Sequence, residues 1–211
     1  MGGVNLEEIS RLKEMGSSIK IGICTGDFSF LHNAVSILKE RGIPHDLIVP
    51  DEPYMGILDC VILDRGMDTP DFPNCKPRIV RKTKDTEGTI DRAVFKAIVK
   101  GNPTLLVIGI DPGKRPGMAF LMDGQLVNIH RSFSEIDIIV RIKRARSSYR
   151  PGKLLVKIGD GDPSSRDMII DELSRAGLSM ELVDEHRTTT TRRFRDENAA
   201  LKIARTRGKP I

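Results

Sequence analysis

Apolar positions in the first hundred residues recur at two spacings, and the spacing switches repeatedly. Leu6, Ile9 and Leu12, set among Glu7, Glu8, Arg11 and Lys13, predict a short helix over 5–17. Residues 19–24 (Ile-Lys-Ile-Gly-Ile-Cys) read as a strand, followed by a Thr25-Gly26-Asp27 turn. Phe30/Leu31, Ala34/Val35 and Leu38 fall at helical period and predict a helix over 28–41, stopped by Gly42. Pro44 and Pro50 bracket a strand at 46–49. A buried strand follows at 57–63, ending at Asp64-Arg65-Gly66, then a Pro-rich loop over 69–77 and a short strand at 78–81. A helix over 89–99, with Thr89 as N-cap and Gly101 beyond its end, closes this half. Strand–helix–strand alternation predicts a small Rossmann-like α/β domain with a parallel sheet over 1–101.

Gly101-Asn102-Pro103-Thr104 marks a boundary, and the pattern then changes to three consecutive strands, 104–111, 118–122 and 125–130. Asp123-Gly124 joins the last two as a hairpin turn. Ser134 caps a helix over 135–148, whose apolar side chains include Ile136, Ile139, Val140 and Ile142. Pro151-Gly152 precedes a strand at 153–158, and a helix over 164–176 turns Met168, Ile169, Leu173 and Ala176 inward before Gly177. A fifth strand spans 178–183, and a last helix runs from near Arg192 to Arg205. The order over 102–211 is β-β-β-α-β-α-β-α.

Charge sharpens the division. Residues 1–101 hold 14 Lys and Arg against 15 Asp and Glu, whereas 102–211 hold 20 against 14, so the whole positive excess lies in the second half and points to a polyanionic partner. No apolar run reaches the ~20 residues of a membrane span, and the first residues lack the pattern of a signal peptide, so no membrane partner is expected. Cys24, Cys60 and Cys75 form no CxxC pair and suit a reducing cytoplasm. With 4% aromatics and no Trp, base stacking on single strands is disfavoured against backbone and shape readout. The first half has neither GxGxxG nor GxxxxGK[ST]. A small-molecule site at its sheet edge, near Thr25-Gly26-Asp27 and Asp64-Arg65-Gly66, stands beside a docking or scaffold role.

The chemistry gathers around Val107-Ile108-Gly109-Ile110-Asp111-Pro112-Gly113-Lys114-Arg115-Pro116-Gly117-Met118-Ala119. A buried strand ends in a carboxylate, and a basic Gly/Pro turn follows. This stretch resembles the first strand of RNase H-like nucleases, specifically RuvC-type Holliday-junction resolvases and YqgF-type proteins. Asp184-Glu185-His186-Arg187-Thr188-Thr189 resembles the Asp-Glu-Arg-x-Thr-Thr signature of the YqgF type, with His186 in the place of the family arginine. Asp196-Glu197-Asn198-Ala199-Ala200 resembles its last-helix motif, Asp-x-x-Ala-Ala. The likeness covers about 104–205.

The resemblance implies an RNase H-like fold and a metal-dependent endonuclease acting on a Holliday junction or a folded RNA. It places metal ligands at Asp111, Asp160, Glu185 and Asp196, with Asp162 in reserve, and phosphate contacts at Lys114, Arg115, Arg187, Arg192, Arg193 and Arg195. It leaves room for a homodimer. The carboxylates suit Mg2+ or Mn2+, because two hard cations about 4 Å apart stabilise the charge that builds up in phosphodiester hydrolysis. Glu185 is preferred to Asp160 as partner of Asp111, since the 184–189 segment matches over more residues. Two rivals are a nucleic-acid-binding protein with a degenerate site and an ATP-handling protein of the actin and sugar-kinase class. The second would need another phosphate motif, which 1–101 lacks.

Overall fold

The computed structural model describes residues 19–184 and 199–211 and is mixed α/β. The predicted helix over 5–17 lies outside the described residues. The chain divides into two compact units, Met1–Gly101 and Asn102–Ile211, each with its own sheet. No helix among the described residues is long and apolar enough to cross a membrane.

The first unit holds β1 (Ile21–Cys24), α1 (Phe28–Glu40), β2 (His45–Leu47), β3 (Cys60–Leu63), β4 (Arg78–Arg81) and α2 (Thr86–Ile98). Its strands form an all-parallel sheet in the order β2-β1-β3-β4. Every residue of β1 and β3 is buried, as expected for strands covered on both faces. One face packs Ile21, Ile23, Cys60, Ile62 and Val80 against Phe30, Ala34 and Leu38 of α1 and Ile90, Ala93 and Val94 of α2. The other packs Cys24, Val61 and Leu63 beneath Ile48, Leu58, Tyr54, Met67, Phe72 and Cys75, which among the described residues belong to connecting segments rather than helices. Arg41, just past α1, bonds Asp91 at 2.7 Å and Glu87 at 3.4 Å, which ties the two helices together.

Helix α2 begins three residues before the predicted start. Asp85, not Thr89, is its N-cap and accepts from the Gly88 N–H at 3.0 Å. A Cβ on Gly88 would lie 2.5 Å from an Asp85 carboxylate oxygen, so the glycine that resembles a helix breaker makes room for the cap. Thr89 instead donates its hydroxyl to the Asp85 carbonyl at 2.8 Å.

The second unit runs β5 (Leu105–Asp111), β6 (Gly117–Met122), β7 (Gln125–Arg131), α3 (Glu135–Tyr149), β8 (Lys153–Gly159), α4 (Pro163–Arg175), β9 (Met180–Val183), α5 (Ala199–Arg205) and β10 (Lys209–Pro210). The sheet order is β10-β9-β8-β5-β6-β7. β5, β6 and β7 are antiparallel neighbours, β5, β8 and β9 are parallel, and β10 returns antiparallel on β9. The β6–β7 hairpin turns at Asp123 and Gly124, both at positive φ, as a two-residue turn requires. Asp123 accepts from the Leu105 N–H at 2.9 Å and from the backbone and hydroxyl of Thr104, which pins the start of β5 to that turn.

Period-two alternation separates two faces. Leu106, Ile108, Ile110, Met118, Phe120, Met122, Val156 and Ile158 share one and are all buried. Val107, Ala119 and Leu121 share the other and pack against Ala200, Leu201 and Ala204 of α5. With α5 on that side, α3 and α4 are the described helices left to cover the first face. Their buried stripes are Ile138, Ile142, Ala145 and Tyr149, and Ile169 and Leu173. Ile136 and Val140 point outward, 72% and 48% exposed, as does Met168 at 48%; Ala176 is exposed too.

Candidate functional site

Asp111 is the last residue of β5, half-buried, and opposite Gly117 in the β5–β6 ladder. It falls on the face of Val107 and Gly109, which is the face that carries α5. A Cβ on Gly109 would lie 2.6 Å from the Ala204 nitrogen and nearer still to the Ala200 carbonyl oxygen. The helix backbone therefore rests directly on the strand, as the small residues of the Ala199-Ala200 motif allow. A Cβ on Gly117 would lie 3.7 Å from both the Asp111 and Ala200 Cβ atoms. The start of α5 thus lies over the end of β5 that bears Asp111.

Asp160 is the first residue past β8, at the same edge. Its N–H donates to the Val183 carbonyl at 3.0 Å, and Arg166 donates to its carbonyl at 3.4 Å. Since Ile110 pairs with Ile158, the strand position level with Asp111 is Gly159, and Asp160 follows it in a bend beyond the strand. Asp184 follows β9 directly, so three parallel neighbours β5, β8 and β9 each end in or beside an aspartate. Asp162 is an N-cap: its carboxylate accepts from the Ser164 and Ser165 N–H groups at 3.2 and 3.4 Å.

The basic turn after Asp111 is anchored by a residue that sequence reasoning missed. Buried Ser165, in the first turn of α4, accepts from the Gly113 N–H and donates to the Gly113 carbonyl, both at 3.3 Å. No signal beyond the Asp-Pro-Ser-Ser cap distinguishes it in sequence. Lys114 and Arg115 are exposed at the tip of that turn. Glu185, Arg187, Arg192, Arg193, Arg195 and Asp196 lie outside the described residues. Among the described residues, no three His, Cys, Asp or Glu side chains group as metal ligands. Asp111 and Asp160 are the two predicted acids in that set, and both offer the oxygen donors a hard cation prefers.

A second polar cluster occupies the carboxyl edge of the first sheet. Asp64, just past β3, accepts from the Thr25 hydroxyl at 2.6 Å and the Gly26 N–H at 2.9 Å. Lys82, just past β4, bonds Asp27 at 2.6 Å and Asp64 at 3.4 Å, with its ammonium 5.2 Å from the centre of the Phe30 ring. Asp27 also caps α1 through the Phe30 N–H at 3.0 Å. The Lys82 bond, with the capping N–H, holds the Asp27 carboxyl below its ordinary range. Burial alone would raise Asp64, but Thr25, Gly26 and Lys82 outweigh it and the net direction is down. Lys82 is correspondingly raised, chiefly by Asp27. The sequence pointed to the Thr25 and Asp64 turns at this edge but not to Lys82, although its place directly after strand 78–81 was a usable signal.

No family model matches the chain, and no curated protein matches it.

Proposed function

We propose that the second unit is an RNase H-like domain of the RuvC/YqgF type and that the protein is a Mg2+- or Mn2+-dependent endonuclease acting on structured nucleic acid in the cytoplasm. The observation that carries this reading is the placement of Asp111: a carboxylate at the end of the central strand, on the face where α5 lies against Gly109 and opens beside it. The element order β-β-β-α-β-α-β-α, with β10 added, supports the same reading.

Asp111 and Asp160 would hold metal from the strand ends, with Glu185 and Asp196 as the remaining ligands. A bound Mg2+ pair would supply an activated water and stabilise the leaving oxygen. Asp111 is held in place by the β5–β6 ladder and by a following turn that Ser165 locks to α4. Exposed Lys114 and Arg115 on that turn would meet phosphate oxygens, joined by Arg187, Arg192, Arg193 and Arg195. The first unit is Rossmann-like, with its ligand-competent edge at the ends of β1, β3 and β4.

Incubating the full chain with four-way DNA junctions and with folded RNA, with and without Mg2+ or Mn2+, tests the reading. Metal-dependent cleavage that disappears in Asp111→Asn is the expected result. Binding without cleavage under every metal condition would assign a non-hydrolytic RNase H-like site instead.

A further inference from the structure

The first sheet reverses its direction of growth at β1: the chain steps to β2 on one side, then crosses to β3 and β4 on the other. In open parallel sheets this reversal leaves a crevice beyond the carboxyl ends of the two central strands, where ligands bind. Here the crevice is a cleft of about 820 Å³, lined by Asp27, Ser29 and Asn33 at the start of α1, Asp64 and Arg65 just past β3, and Lys82, Lys84 and Thr86 past β4. That volume lies within the usual 300–1,000 Å³ or so of small-molecule sites.

The charges in the lining are unequally satisfied. Lys82 lies between Asp27 and Asp64, in the place a divalent cation bridging the two carboxylates would need. Lys82 offsets one of the two negative charges, and with Arg65 and Lys84 the three cations of the lining outnumber its two carboxylates. Arg65 and Lys84 have no ion-pair or hydrogen-bond partner among the described residues, and neither do the side chains of Ser29, Asn33 and Thr86. The groups left to meet a ligand are thus two cations, two hydroxyls and an amide. That donor set suits an anion attached to a hydroxyl-rich body, and Asp27, with its side chain 46% exposed, adds an acceptor for a sugar hydroxyl.

We propose that this cleft binds a phosphorylated small molecule of nucleoside-monophosphate size, its phosphate held by Arg65 and Lys84 and its sugar by Ser29, Asn33 and Asp27. Arginine's fork and the lysine point charge together meet the phosphate oxygens. The site is independent of the nuclease reading, since none of its residues belongs to the second unit.

The test is calorimetric titration of the full chain with AMP, ribose 5-phosphate, adenosine and inorganic phosphate. Saturable binding of AMP or ribose 5-phosphate, with adenosine and inorganic phosphate much weaker, is expected. Arg65→Gln and Lys84→Gln, both at exposed positions, should each weaken that binding by about tenfold, the loss of one charge-assisted contact. Asp111→Asn should leave it unchanged. Absence of saturable binding by any phosphorylated probe at millimolar concentration overturns the proposal. Equal affinity for inorganic phosphate overturns the size assignment, and binding that survives both substitutions overturns the location.

Discussion

Replacing Gly109 by alanine is the sharpest probe of how α5 is seated. Alanine in a strand is ordinarily favoured over glycine by about 0.5–1 kcal/mol, because the unfolded chain has less freedom to lose. Here the added methyl would stand 2.6 Å from the Ala204 nitrogen and 2.8 Å from its Cβ. Both obstacles belong to helix backbone or to a side chain with no rotamer to change. Ordinary contact starts near 3.4 Å, so clearing the Ala204 nitrogen alone moves α5 by about 0.8 Å, and the nearer Ala200 carbonyl oxygen demands more. A gap of roughly that size forfeits a quarter to a half of each dispersion contact it opens, and Ala200, Leu201, Ile203 and Ala204 are all buried by this packing. Overpacking of this kind costs about 1–3 kcal/mol, and the strand preference offsets only part of it, so a net loss near 2 kcal/mol is expected. For a unit this size that lowers the melting temperature by roughly 10 °C. Gly113→Ala is the control, because nothing lies within 4 Å of a Cβ there; it should melt with the wild type. Thermal unfolding of the full chain by circular dichroism gives the answer. A Gly109→Ala protein that melts at or above the wild-type temperature would refute the close seating of α5 on β5.

Asp91→Asn removes the closer of the two carboxylates that Arg41 meets, at 2.7 Å, with the two side chains only 5% and 11% exposed; Glu87 at 3.4 Å remains, so the loss by urea unfolding should fall below the roughly 3–5 kcal/mol of a buried ion stripped of its partner. Asp123 has its carboxyl held below the ordinary range by the Thr104 hydroxyl and by the Leu105 and Thr104 N–H groups. Its contribution is therefore present above the unfolded value near 3.9 and disappears as pH falls through the depressed folded value, so Asp123→Asn should be less stable than wild type at pH 7, with the gap narrowing as the pH falls below about 3.9. In cleavage assays Glu185→Gln should lose more activity than Asp160→Asn, because the 184–189 segment carries the longer motif resemblance; loss confined to Asp160→Asn would reverse that ranking. Log affinity for duplex DNA should fall linearly with log salt, by about 0.9 per phosphate contacted, and a flat dependence would remove the phosphate-grip role of the second unit's arginines.

The fold was legible wherever one period dominated a segment. The three-strand opening of the second unit, the Asp123-Gly124 turn, the Ser134 cap and the parallel character of the first sheet all follow from alternation, helical spacing or turn chemistry. Errors arose where a local signal had two meanings. Thr89 was a credible N-cap, but Asp85 caps the helix four residues earlier, with Gly88 leaving room for its carboxylate. Of the four positions expected inward on the 164–176 helix, Ile169 and Leu173 are buried while Met168 and Ala176 face out. β10 escaped notice because two residues, one of them proline, carry no periodicity; its pairing depends on β9. Of the candidate site, Asp111 was legible from its strand and turn, and Asp162 resolves to a cap. The pairing Lys82 makes with Asp27 and Asp64 joins three separate strand ends, and no local pattern encodes a contact of that range.

Gly109 also shows how a sequence announces where its chain has no room. In a run otherwise made of Leu, Val and Ile, glycine weakens the strand by roughly 0.5–1 kcal/mol and offers nothing to the core. Its opposite face is fully occupied by Leu106, Ile108 and Ile110, so the run loses none of its burial there. The missing side chain is on the face of Asp111, and the helix that fills the space does so with alanines at 200 and 204, four apart and thus on one side of the helix. Larger residues at either place would hold the start of α5 away from the end of β5. Nothing in the packing of the sheet itself calls for that closeness, since Val107, Ala119 and Leu121 pack against the same helix with side chains of ordinary size. What the contact at Gly109 and Gly117 does achieve is to bring Ala200, in the first turn of α5, close to the Cβ of Asp111, so the residues just before α5 enter at the strand end that bears this carboxylate.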